Sequence, residues 1–230
     1  HVIIPVDKWY VKVMASEITL DCAEDKVGSD EDMPELFKKS ELTDITLIVE
    51  GKKLHFAKYL LMEGSSVFTQ MIKNSGDPSR LKVDDLTYKD FIAFLQCLHP
   101  KCFLELEDTI LEPVATIARR FEYERILRIC EQYIIQKFKK VRTTVDGMYP
   151  KFFFHLRVAD KCRLKRAIEI GISCKQVDLA FFSNQRYGRA KIIGYEDNTD
   201  FGEISLKTKF KIVCRRLKEA ERKIPSDNRY

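Results

Sequence analysis

Residues 42–58 read Leu-Thr-Asp-Ile-Thr-Leu-Ile-Val-Glu-Gly-Lys-Lys-Leu-His-Phe-Ala-Lys. Ile45 to Val49 is a near-continuous apolar run with the make-up of a well-covered strand. Glu50-Gly51-Lys52-Lys53 supplies turn chemistry and Leu54-His55-Phe56 returns, so the spacing predicts a hairpin. Just before it, around Pro34, Met33, Leu36 and Phe37 fall on one side of a short helix beside polar Glu35, Lys38 and Lys39. After it, Lys58 to Met62 and Ser66 to Lys73 read as two short helices split at Gly64-Ser65, the second with Val67, Phe68 and Met71 at helical spacing. Asn74-Ser-Gly-Asp-Pro-Ser is a loop by its turn chemistry. Leu81-Lys-Val gives a third short strand, and Tyr88 to Leu98 a helix with Phe91, Ile92, Phe94, Leu95 and Leu98 on its apolar side.

From residue 108 the chain is mainly helical. Ile110, Leu111, Val114, Ile117, Ala118 and Phe121 follow the spacing of a buried helix face, with Pro113 expected near the first turn. Ile126, Ile129, Cys130, Tyr133 and Ile134 repeat the pattern, so one helix turns back on the other around residues 122–124. An echo follows 41 residues later: Ala118-Arg-Arg-Phe with Tyr123, Ile126 and Leu127 aligns with Ala159-Asp-Lys-Cys, Leu164, Ala167 and Ile168. Two copies are too few for a solenoid, so they predict a helical domain end extended by a similar hairpin. Residues 175–203 read as irregular. Leu206, Phe210, Val213 and Leu217 then form an apolar stripe among Lys207, Lys209, Lys211, Arg215, Arg216 and Lys218, the pattern of a basic amphipathic helix over 206–223. Its sharp reading is a nucleic-acid or membrane-surface element. Because Glu219 and Glu221 interrupt the run, the expectation is a solvated basic face over a buried stripe, with nucleic acid and membrane not among the partners.

Ahead of the hairpin, residues 8–14 and 17–21 alternate like short strands and 23–32 form an acidic linker. Two strands do not make a domain. They are either an added edge or the tail of something upstream, and a first residue of His rather than Met leaves room for an upstream domain. The expected organisation is therefore residues 1–31 as strands and linker, 32–140 as an α+β domain, and 141–230 as a helical extension. Of 230 residues, 45% are hydrophobic and 33% charged, a globular balance. The net charge of +5 divides into −4 over residues 1–140 and +9 over 141–230, a reason to consider an anionic partner for the second half. Seven scattered cysteines, several inside apolar helical patterns, fit a reducing compartment, and no secretory leader pattern is seen, so the expected location is cytoplasm or nucleus.

No catalytic or cofactor motif stands out. No two glycines are separated by fewer than five residues, which excludes the loops that cradle phosphates. His-Glu-x-x-His and Gly-x-Ser-x-Gly are both absent. Cys97-Leu-His99-Pro-Lys-Cys102 brings three zinc-competent side chains together, but structural zinc takes four ligands, and Cys97-Leu98 continues a helix face that His99-Pro100 ends. Asp44 reads as a hydrogen-bonded structural carboxylate. The chain is expected to be no enzyme, with no metal and no cofactor.

The order of elements, with Leu42 to Val49 and its aspartate, Leu54-His55-Phe56-Ala57-Lys58, Leu60-Leu61, Ser65, Phe68, Lys89-Asp-Phe91 with Phe94-Leu95, and Ala118-Arg-Arg-Phe121 with Ile126 and Cys130, resembles the BTB/POZ domain over about 100 residues. The resemblance implies a homodimer in which Met33, Leu36 and Phe37 pack across a two-fold axis, supported by the Asp44 strand. It implies a partner-binding surface at Phe68, Met71, Leu81 and Val83. Many members of the family are adaptors that bring a protein substrate to a cullin-type ubiquitin ligase, and some carry an upstream MATH domain, of which residues 1–21 would be the tail. Two features depart from the pattern. Ala57 stands where a histidine is common, and Lys73-Asn-Ser-Gly-Asp-Pro-Ser shows no hydrophobic-x-acidic motif of cullin-binding members. The alternative is a nuclear regulator whose basic C-terminal region meets nucleic acid or an acidic partner.

Overall fold

The computed structural model describes residues 33–100, 102, 105–143, 151–174 and 198–223. The strands and linker read over 1–31, and most of the irregular stretch, lie outside these residues. Glu50 (φ 50°) and Gly51 (φ 77°) turn the chain between β1 (Ile45–Val49) and β2 (Lys52–Phe56), which pair antiparallel with Val49 opposite Lys52. Positive φ at both central residues gives the tight turn whose twist suits a hairpin, so two residues suffice and β2 begins two residues sooner than the sequence predicts. β3 (Arg80–Lys82) pairs parallel to the other edge of β1, Leu81 opposite Leu47, giving the order β2-β1-β3. The short helix expected around Leu36 contracts to a single 3-10 turn, Glu35–Phe37.

Helices α1 (Lys58–Gly64), α2 (Ser66–Asn74), α3 (Tyr88–Leu98), α4 (Asp108–Arg120) and α5 (Glu124–Thr143) complete the first half. The fold class is α+β. Pro113 lies in the second turn of α4, later than expected, where it removes the N–H that would reach back four residues. At the centre, Phe68 stacks on Phe121 with ring centroids 4.2 Å apart, and Phe94 meets Tyr123 edge-on at 5.6 Å. The break between α1 and α2 docks on the turn between α4 and α5. Ser65 Oγ donates to the Phe121 carbonyl and accepts from Phe68 N, Ser66 Oγ donates to the Glu122 carboxylate at 3.0 Å, and Tyr123 OH donates to the carbonyls of Leu60 and Leu61. Gly64 lies so close to the Tyr123 ring that a Cβ there would overlap it.

The echo is real in the backbone. Glu122 (φ 55°) and Arg163 (φ 56°), 41 residues apart, each close a helix in the left-handed conformation. Tyr123 N donates to the Ala118 carbonyl at 2.7 Å and Leu164 N to the Ala159 carbonyl at 2.8 Å, while Glu122 N reaches Arg119 and Arg163 N reaches Asp160. This is the paired bonding that ends a helix at a position favouring glycine. The second copy comprises α6 (Phe152–Lys161) and α7 (Lys165–Ile172), packed on α5.

Two further helices follow, α8 (Thr199–Glu203), within the stretch read as irregular, and α9 (Leu206–Lys223). α9 is present as expected, but its large apolar stripe faces outward, contrary to the buried stripe expected from sequence. Leu206 is 83%, Phe210 69%, Val213 48% and Leu217 58% exposed, whereas Thr208 and Ile212 are buried. Asp160 sets this rotation. Its carboxylate accepts from Ser205 N at 2.7 Å, Ser205 Oγ at 3.0 Å and Thr208 Oγ1 at 2.5 Å, which turns the side carrying Thr208 and Ile212 inward. At roughly 100° per residue, the Leu206–Leu217 stripe lies opposite.

Arg163 holds a backbone conformation that costs a side chain-bearing residue stability. Arg163→Gly is expected to raise unfolding stability by roughly 0.5–1 kcal/mol and Arg163→Val to lower it by at least about 1 kcal/mol, read from urea unfolding midpoints.

Candidate interaction surfaces

Asp44 Oδ1 accepts from Lys58 N at 2.6 Å, and Asp44 N donates to the Phe56 carbonyl. The carboxylate caps the first turn of α1, an architectural role that brings the entry to β1 beside the start of α1. Leu42 and Tyr59 flank this junction and are 74% and 62% exposed. Met33 and Leu36 are half-buried, packed on the core with part of each side chain outside. Sequence reasoning did not single out Leu42 or Tyr59 as contacts, because neither breaks the pattern of its element. The β1–β2 pairing, the Asp44 N–Phe56 carbonyl bond and the Asp44–Lys58 bond bring their two stretches of chain together.

Four of the residues expected at surfaces have none to offer. Phe37 is buried in its own domain against Phe56, with ring centroids 6.2 Å apart, so it anchors its turn instead of meeting a second copy. Phe68, Leu81 and Val83 are likewise core. Phe68 is held in the aromatic stack. Along β3 the side chains alternate, so Leu81 points inward while Arg80 and Lys82 point out, and Val83 N continues the pairing with the Ile48 carbonyl at 2.9 Å. What this edge presents is charge, including Lys82 paired to Asp84 at 2.9 Å. Met71, half-buried on α2, keeps some surface.

Several buried polar groups look like chemistry and are joints. His155 is fully buried, its Nε2 2.7 Å from Asp108 Oδ1 and its Nδ1 2.8 Å from the Lys151 carbonyl. Burial pushes the His155 pKa down while Asp108 pulls it up, with burial stronger. With both ring nitrogens facing acceptors and no exposure, the pair clasps α4 to α6 and has no place for a substrate. Burial alone would raise the Asp108 carboxyl, but hydrogen bonds from Lys151, Tyr133 and His155 hold it down at about 2. Arg157 forms a two-pronged pair with Glu112, both contacts 2.8 Å, and reaches Asp200 at 2.8 Å and Glu203 at 3.1 Å, joining α4, α6 and α8. Glu131 accepts from Arg166 N and Ala167 N and so caps α7.

Burial pushes the Cys130 thiol to about 12 and Cys97 to about 11, so both stay protonated and fill space. His99 packs edge-on to Phe56. Among the described residues no three His, Cys, Asp or Glu side chains converge as a metal would need, and no helix is long and apolar enough to cross a membrane.

The arrangement is thus a small sheet and helical hairpins braced by carboxylates; among the described residues its exposed large apolar side chains are Leu42, Tyr59, the α9 stripe and Ile129, which the sequence pattern places on the buried face of α5. The BTB/POZ family model matches residues 33–138. Residues 33–138 form a BTB/POZ domain. Such domains are protein-interaction modules that self-associate and bind other proteins. A relative from Caenorhabditis elegans, "BTB and MATH domain-containing protein 36", is 29% identical over 100 residues, which are 42% of this chain and 31% of that protein. The chain therefore matches less than a third of that relative's length. Among solved structures, the BTB domain of human gigaxonin is similar at 12% identity over 40% of this chain and 77% of that one, with a TM-score of 0.36. The BTB domain of zebrafish PATZ1 is similar at 18% identity over 41% and 76%, with a TM-score of 0.36.

The depressed Asp108 pKa means that its contribution to stability is complete above the ordinary carboxyl value of 3.8 and is lost as pH falls towards about 2. Asp108→Asn is expected to lower stability at neutral pH by on the order of 1–2 kcal/mol, discounted for partial solvent access. The gap between the two proteins should close between about pH 4 and pH 2 in urea titrations, whereas a constant gap would show that the carboxylate's charge contributes nothing.

Proposed function

We propose that this chain is a self-associating adaptor whose copies meet around the Asp44–Lys58 junction, using Met33, Leu36, Leu42 and Tyr59. The observation that carries the reading is the pair of large apolar side chains left exposed at that junction in a domain of an interaction family. Met33 and Leu36 border the same reading as residues with surface to spare, while Phe37 fixes their turn from inside. Assembly makes a platform from which a bound protein is presented to a second one. In the fuller form of the reading that second protein is a cullin-type ligase scaffold meeting the outer face of α2 near Met71. The loop after α2 lacks the hydrophobic-x-acidic pattern, so this ligase part rests on the family match and not on a motif of the loop.

Burying a leucine and a tyrosine contributes a few kcal/mol. Leu42→Asp combined with Tyr59→Asp is therefore expected to weaken self-association at least about tenfold in sedimentation equilibrium, with unfolding little changed because both side chains are exposed. An unchanged association constant would remove this surface from the reading. Adding an N-terminal cullin fragment is expected to give a heavier complex; a mass that does not move would retire the ligase part alone.

A further inference from the structure

We propose that the outward stripe of α9 is a docking seam for an acidic amphipathic helix of another protein. The inference stands apart from self-association at the Asp44 junction. It begins from an anomaly: the largest apolar side chains of this helix point away from the domain, while Thr208, bonded to Asp160 of α6, and Ile212 are the buried ones. Leu206, Phe210, Val213 and Leu217 are spaced by four, three and four residues, the repeat that keeps one apolar row facing a neighbouring helix.

The form and charge of the row choose the occupant. It is narrow, with one residue per step and basic residues directly beside it. Such a row suits knobs from one facing helix, whereas a helix lying in a membrane surface buries a broader apolar face. Lys207, Lys211 and Lys218 repeat the spacing one residue later, all exposed, and Lys209 and Arg216 line the other border. Glu221 lies one turn past the stripe. A second copy of α9 would set basic border against basic border, which disfavours self-pairing. A helix with apolar residues at the seam and Glu or Asp beside them matches both features.

The rotation is fixed by the domain, not by the stripe. Asp160 holds Ser205 and Thr208, and Lys209 Nζ is tied to the Gly202 carbonyl at 2.8 Å, so the seam is presented before any partner arrives. Pre-set geometry reduces the ordering cost of binding.

The test uses the full chain and a fluorescently labelled designed helix of about 28 residues, long enough to be helical alone, with leucine at the seam and glutamate at the flanking positions. A twin with lysine at the flanking positions is the control. Anisotropy titrations should show the glutamate helix binding at least tenfold tighter than the lysine helix, with the difference shrinking as salt rises from about 0.1 M to about 1 M. Phe210→Ser with Leu217→Ser should abolish binding while leaving circular dichroism and unfolding unchanged, as both side chains are exposed. The proposal is overturned if neither helix binds, if both bind equally, or if the double variant still binds. It is also overturned if the variant instead loses self-association, which assigns the stripe to a second copy, or loses binding to phosphatidylserine vesicles, which assigns it to a membrane.

Discussion

The fold depends on the docking of Gly64-Ser65-Ser66 onto Phe121-Glu122-Tyr123. A three-stranded sheet with two short helices has little core of its own, and a helical hairpin has no reason to stop where this one does. At the contact between them, the Tyr123 ring occupies the space that a side chain at residue 64 would need, its hydroxyl takes up carbonyls near the end of α1, and Ser65 satisfies a carbonyl at the end of α4. The stacked Phe68 and Phe121 rings lie beneath. Polar groups stranded at two helix ends are thus bonded to each other inside an apolar shell, which removes the cost of leaving them bare.

Beyond that contact the molecule grows by repeating its own solution. The left-handed turn at Glu122 recurs at Arg163, and carboxylates far apart in sequence close the joints: Asp44 on α1, Glu131 on α7 and Asp160 on α9. Each acid meets free backbone N–H groups at a helix start, where negative charge is favoured. The functional consequence is directional. The joints decide which sides of the helices are used up in packing, and so which apolar residues are left for other molecules.

Local features were legible in the sequence. The hairpin followed from Ile45–Val49 and the turn chemistry of residues 50–53, though the turn itself is only Glu50-Gly51, the helix limits of α3 from its apolar face, and the repeat from the recurrence of Ala118 and Ala159 in matching surroundings. What could not be read was which of two surfaces a side chain would occupy. Phe68, Leu81 and Val83 were assigned to a surface by resemblance, yet Phe68 fills an aromatic stack, and the pleat turns Leu81 inward while its neighbours Arg80 and Lys82 point out. The α9 pattern shows that an apolar stripe exists, but its orientation comes from Asp160, 45 residues before Ser205. Periodicity carries no information about such a partner. Leu42 and Tyr59 were missed for the same reason.

The proposed meeting of copies at the Asp44–Lys58 junction is open to a direct test. Its most direct measurement is amide hydrogen exchange of the intact chain in dilute and concentrated solution, followed by peptides covering residues 36–43 and 58–62. If copies meet there, these peptides become protected as concentration rises while the α9 peptides do not. Exchange that is independent of concentration, or protection confined to α9, would contradict it.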